Sequence, residues 1–112
     1  MPVIVDIDGT LLRNGTEPIR RVIEYVNSLH GPIWIVTGRV SSDRAKTASA
    51  LRAVGVHWSR LLMNPYSTQD TLKWKREVAN RSKSADLAID NDPSARAIYS
   101  SVGIPTKDPA TI

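Results

Sequence analysis

Three short clusters of chemistry-bearing residues each follow an apolar run. Asp6-Ile7-Asp8-Gly9-Thr10 follows Val3-Ile4-Val5, Thr37-Gly38-Arg39 follows Ile33-Trp34-Ile35-Val36, and Asp90-Asn91-Asp92 follows Leu87-Ala88-Ile89. Carboxylates two residues apart at a strand end lean to one side. Asp6, Asp8 and Asp90 repel when gathered, and a cation among them removes that cost. Oxygen-only ligands suit a hard ion, Mg2+ more than zinc, and a Mg2+ site commonly leaves room for a substrate phosphate. Thr37 adds a hydroxyl and Gly38 an unobstructed N–H. Helices starting near Ser41 and Pro93 turn positive dipole ends toward the same space. Each signal has an ordinary reading alone: Asp as turn former, Arg39 as surface charge, Asp92 before Pro93 as helix cap. The ordered set carries the inference of a phosphate ester bound beside Mg2+.

The elements that must hold these residues are legible as an alternation of strands and helices. Val3 to Ile7 reads as a buried, β-branched strand followed by a turn rich in Gly9, Thr10, Asn14, Gly15 and Thr16. Thr16 or Glu17 is expected to cap a helix with Pro18 at its first position. Its apolar stripe is Ile19, Val22, Ile23, Val26 and Leu29, and Gly31 ends it. Ile33 to Val36 is the second strand, with Thr37-Gly38-Arg39 following it. Ser41 or Ser42 is expected to cap a helix that runs to about Val54 and stops at Gly55. Arg60 to Met63 forms a third strand, Asn64 to Thr68 a loop, and a helix extends to about Arg81. Asp86 to Asp90 is the fourth strand. Asp92 caps a last helix ended by Gly103, Ile104 to Thr106 adds an edge strand, and the tail is expected to be loosely ordered. The fold class is α/β: a doubly wound, Rossmann-like parallel sheet with helices on both faces, one domain over 1–112. Ligands bind such sheets at the carboxyl ends of strands where the order reverses.

Composition narrows the class further. The 112 residues carry 15 Lys and Arg against 11 Asp and Glu, and no Cys. Disulfides, thiolate metal sites and cysteine nucleophiles are excluded. Ordinary apolar content argues against disorder. No apolar run approaches a membrane span, and the first residues lack the pattern of a signal peptide, so a cytoplasmic protein is expected.

Asp6-Ile7-Asp8-Gly9-Thr10-Leu11-Leu12 resembles the first motif of the haloacid dehalogenase superfamily. Thr37 after an apolar strand resembles its second motif, and Ala88-Ile89-Asp90-Asn91-Asp92 its fourth. The resemblance covers nearly the whole chain. It implies that Asp6 attacks phosphorus and that Asp8 protonates the leaving oxygen, then activates water. It also implies Mg2+ held by Asp6, the backbone carbonyl of Asp8, and Asp90. Thr37, Gly38 and a third-motif lysine would hold the phosphate, and Thr10 would orient Asp8. An acid at position 8 marks phosphatases and phosphomutases rather than dehalogenases. Lys73 and Lys75 compete for the lysine role. Lys75 fits better, with apolar Trp74 before it and a helix after. Asn91 stands where many members carry a second acid, and Asp92 would supply that charge.

Neither Gly9 to Thr16 nor Asn64 to Thr68 has room for the inserted cap domain common in that superfamily. An open site suits a macromolecular end as well as a small molecule. Arg13, Arg20, Arg21, Arg39, Arg44, Lys46 and Arg76 lie near the expected site edge and could neutralise nucleic-acid phosphates. Leu87 to Pro93, followed by a helix and Val102-Gly103-Ile104-Pro105, is similar to the phosphatase half of polynucleotide kinase/phosphatase enzymes. That half removes 3′-phosphates from nucleic-acid ends. No P-loop accompanies it. The expected partner is thus a phosphorylated nucleic-acid 3′ end, without membrane association. The alternatives are a small-molecule or nucleotide phosphatase whose cap comes from a homo-oligomer, and a non-catalytic nucleic-acid-binding domain.

Overall fold

The computed structural model describes residues 1–112. The chain runs β1 (Val3–Val5), a small hairpin of β2 (Leu12–Arg13) and β3 (Glu17–Pro18), α1 (Arg20–Ser28), β4 (Ile33–Val40) and α2 (Arg44–Ala53). It continues through β5 (Arg60–Asn64), α3 (Thr71–Arg81), β6 (Leu87–Ile89), α4 (Pro93–Ser101) and β7 (Thr106–Lys107). Five strands form one parallel sheet in the order β5-β4-β1-β6-β7. The order grows from β1 through β4 to β5, then returns to the other side of β1. The reversal therefore lies between β1 and β6, where a Rossmann-like sheet opens a crevice.

Side chains alternate across the sheet with period two. Val3 and Val5 enter a large core under α1 and α2, with Val22, Ile23, Ile35 and Leu51. Ile4 faces the opposite way, into a smaller core under α3 and α4 with Ala88, Val78, Ala95, Ile98 and Tyr99. Ile4 is paired with Ala88. Two residues on, Asp6 and Asp90 fall on that same face, at the ends of adjacent strands.

Several boundaries differ from the sequence expectation. Pro18 does not open a helix; it pairs with Leu12 in the hairpin, and α1 begins after Ile19 without a side-chain cap. Pro lacks an N–H and is tolerated on such an edge. Thr37, Gly38 and Arg39 belong to β4 itself, where the pairing with β5 is irregular between Val36 and Val40. Ser41 and Ser42 make no cap bond; Ser41–Asp43 is a 3-10 turn leading into α2. The edge strand is Thr106–Lys107, a little later than expected. The tail is ordered: Asp108 caps a turn over Pro109–Thr111, and Arg21 donates to the Ile112 carbonyl at 3.0 Å. Asp92 caps α4 as expected, accepting from the Ser94 N–H at 2.9 Å.

No helix is long and apolar enough to cross a membrane.

Candidate active site

A cleft of about 560 Å³ opens at the carboxyl ends of β1, β4 and β6. Asp6, Asp8, Gly38, Arg39, Lys75 and Asp90 line it, with Asn91, Asp92, Pro93, Thr68 and Thr71 at its walls. Apart from the Pro93 ring, no aliphatic or aromatic side chain reaches it. A small apolar ligand would find little to pack on, whereas an anion or a hydrated polar group would be well served.

At its base lies a buried triad. Lys75 Nζ donates to Asp6 Oδ1 at 2.9 Å and to Asp90 Oδ2 at 2.6 Å. Lys75 reaches this point because it lies on the same helical stripe as buried Val78 and Ala79. Lys73 lies on another face of α3, exposed, with its ammonium 4.3 Å from the centre of the Tyr66 ring. Of the two lysines, Lys75 is the one at the base of the cleft.

The remaining lone pairs of the triad are also engaged. Asp6 Oδ2 accepts from the Thr10 hydroxyl at 3.1 Å. Asp90 Oδ1 accepts from the Asp92 N–H at 3.0 Å. Asn91, with its amide nitrogen turned inward, donates to Asp6 Oδ2 and to the Asp8 carbonyl, both at 2.9 Å. Burial raises the Asp6 carboxyl to about 7, against the pull of Lys75, and the Asp90 charge adds to the rise. Burial works to lower Lys75, but Asp6 and Asp90 outweigh it and the ammonium is held above its ordinary value.

Asp8 is placed differently. Its side chain is about half exposed and forms a two-pronged pair with Arg39, Nε to Oδ2 at 2.9 Å and Nη2 to Oδ1 at 2.7 Å. Arg39 Nη2 also donates to the Gly15 carbonyl at 3.0 Å, tying β4 to the hairpin. The Arg39 guanidinium is held above its ordinary pKa, chiefly by the hydrogen bonds to Asp8. The four acids Asp6, Asp8, Asp90 and Asp92 thus each have a partner within the chain. The cation that offsets the Asp6–Asp90 repulsion is the Lys75 ammonium, and no three acidic or histidine side chains gather into a cation cage.

Two glycines shape the walls. Gly9 has φ +83°, and a Cβ there would collide with the Asn91 side chain. A Cβ on Gly38 would lie 2.5 Å from Thr71 Oγ1, so the absent side chain lets the start of α3 approach β4.

Asp6, Asp8, Gly38, Arg39, Lys75, Asp90, Asn91 and Asp92 therefore come together at the cleft. Two expected roles are corrected. Thr10 orients Asp6, not Asp8, because the turn after β1 folds back and brings its hydroxyl to Asp6 four residues earlier. Thr37 is buried and does not line the cleft; its hydroxyl oxygen accepts from the Arg39 N–H at 3.0 Å. Asn64 was not singled out by sequence reasoning, yet it is fully buried. Its amide donates to the Gly38 and Ser67 carbonyls at 3.1 and 2.8 Å, fixing the loop after β5 against the end of β4. An amide directly after the apolar run Leu61-Leu62-Met63 was the available signal. Thr68 and Thr71, on the wall, carried none.

No protein-family model, curated protein or solved structure matches the chain.

Proposed function

We propose that the chain is a phosphomonoester hydrolase of the haloacid dehalogenase type, working through an aspartyl-phosphate. The observation that carries this reading is the buried Asp6, held at both oxygens at the sheet's reversal point, facing a cleft lined mainly by polar residues with Asp8 beside it. A carboxylate so oriented is positioned to act as a nucleophile rather than as a surface charge. Asp6 attacks phosphorus, the ester P–O bond breaks, and the leaving oxygen takes a proton from Asp8. Asp8 then accepts a proton from the water that attacks the phosphorus, which releases inorganic phosphate and restores Asp6. Lys75 holds Asp6 in place throughout. A phosphate entering the cleft competes with Asp8 for the Arg39 guanidinium; the freed Asp8 carboxylate takes up, from the substrate monoanion or solvent, the proton that it then gives to the leaving oxygen.

The oxygens present fit Mg2+. Asp6 Oδ2 and the Asp8 carbonyl each lie 2.9 Å from one terminal atom of the Asn91 amide. Turned by half a revolution, that amide offers a third oxygen at the same place. Asp6, the Asp8 carbonyl and Asn91 would hold the ion, with Asp90 behind them, and the ion would offset repulsion between carboxylate and phosphate.

The proposed substrate is a phosphorylated nucleic-acid 3′ end. The open cleft, which no inserted domain covers, supports a macromolecular end over a small molecule. The test is Mg2+-dependent phosphate release from an aryl phosphate. Asp6→Asn is expected to lower it by at least about 10³-fold. Activity that survives this change removes Asp6 as nucleophile. Comparable kcat/KM on a 3′-phosphorylated oligonucleotide and a 3′-mononucleotide would refute the macromolecular substrate.

A further inference from the structure

The basic residues are not equally available to a ligand. Arg20, Arg21 and Arg44 donate to the backbone carbonyls of Val54, Ile112 and Leu61. Arg52 and Arg60 stack over Trp58 and Trp34, 5.6 and 4.7 Å from the ring centres. Arg39 is bound by Asp8, and Arg96 donates to the Asp90 carbonyl and lies 3.6 Å from Asp108. Of the cations next to the cleft, Lys73 and Arg76 are exposed and have no carboxylate at ion-pair distance; Lys73 also lies over the Tyr66 ring, 4.3 Å from its centre, but both it and the ring are open to solvent.

These two residues share one face of α3 at a spacing of three, with Leu72 beside them. Opposite them, Ser94, Ile98 and Ser101 form a stripe along α4. Together they line a groove of about 370 Å³ that contains no acidic residue. Both helices begin at the cleft, since Thr71 and Pro93 are cleft walls and Leu72 and Ser94 follow them directly. The groove therefore leads straight away from the catalytic cleft. Leu72 and neighbouring Tyr66, at 40% and 38% exposure, are two of the three large apolar side chains left open to solvent. A second cleft flanks the site on the hairpin side, where Lys46 and Arg39 line it with Asp43. Its positive charge is offset by that acid and by the Asp8 partner of Arg39, so charge favours the α3–α4 groove.

We infer that the α3–α4 groove binds the backbone of a single nucleic-acid strand whose terminal phosphate occupies the cleft. Lys73 and Arg76 meet phosphodiester groups, and the exposed apolar rim at Leu72 receives a base. This rests on the phosphatase reading for the terminal phosphate, but its test is a binding measurement and stands apart from turnover.

The experiment is fluorescence anisotropy of a labelled single-stranded oligonucleotide with a 3′-phosphate, titrated with the full chain and with the double variant Lys73→Glu/Arg76→Glu. Both positions are exposed, and circular dichroism is expected to be unchanged. The variant is expected to bind at least about tenfold more weakly, with the slope of log K against log salt shallower by about 1.4 for two lost contacts. Hydrolysis of an aryl phosphate, which does not reach the groove, is expected to stay at the parent rate. Equal affinity of variant and parent, or no binding by the parent, overturns the groove. So does a loss that appears with Lys46→Glu and not with the double variant, or equal competition by a phosphopeptide. Absence of aryl phosphatase activity alongside intact, groove-dependent binding overturns the catalytic reading and leaves the groove standing.

Discussion

Under α1 and α2 the sheet buries a cluster of 18 apolar residues, 16 of them Val, Ile or Leu. Under α3 and α4 the corresponding cluster has 10, four of them Ala. The thinner layer surrounds two polar atoms without a hydrogen-bond partner, Trp74 Nε1 and the Tyr99 hydroxyl, against one, Thr47 Oγ1, on the α2 side. It adjoins the Lys75–Asp6–Asp90 triad, three charged groups almost sealed from water. One face is held by packing, and the other relies on electrostatic bonds beside its smaller core. The candidate site sits on the second face because Asp6 and Asp90 share the sheet side of Ile4 and Ala88. A reactive group there can be held by hydrogen bonds and still open to a cleft.

Three substitutions would break or sharpen that contrast. Lys75→Met should cost the most, about 3–5 kcal/mol, because it leaves two carboxylates buried without their cation. Urea unfolding measures it, and adding Asp6→Asn and Asp90→Asn should restore most of the loss. A single-variant loss below about 1 kcal/mol would mean that the triad does not hold this face. Leu51→Ala, on the packed face, should cost about 3 kcal/mol through the cavity it leaves. No charge substitution elsewhere should rescue it, and partial recovery by a neutralised triad would show that the faces are coupled. Tyr99→Phe should have the smallest effect and the opposite sign, a gain of about 1 kcal/mol. It removes a buried hydroxyl that has no partner and whose pKa burial, then Asp90 and Asp6, push well above the ordinary tyrosine value. A loss instead would show that the hydroxyl is satisfied by ordered water.

Much of this arrangement was legible in the residues themselves. β-branched runs marked the main strands. Period-two alternation from Ile4 and Ala88 carries Asp6 and Asp90 to one face, and Val78 and Ala79 mark the stripe that brings in Lys75. Asp92 before Pro93 specified its own cap. What was hidden depends on backbone detail that side-chain pattern does not encode. Pro18 reads as a helix start, yet it is equally at home on the edge of the hairpin formed once Asn14 and Gly15 take left-handed turns. The sequence places Asp8 at the site but gives no sign that Arg39 would grip it, since that contact spans 31 residues and depends on the irregular end of β4. The family resemblance assigns Thr10 to Asp8; the tight reversal after Ile7, which returns its hydroxyl to Asp6, has no periodic signature.

The order β5-β4-β1-β6-β7 has a temporal side. β1 is central, and its two neighbours arrive far apart along the chain: Val3 pairs with Ile33 on one side and with Leu87 on the other. During synthesis β1 gains its first partner early but keeps an open, fully apolar edge until Leu87–Ile89 has been made. The Asp6–Asp90 juxtaposition cannot exist before that edge closes. Assembly of the site therefore waits on a long-range parallel pairing, a kind that is slow to form.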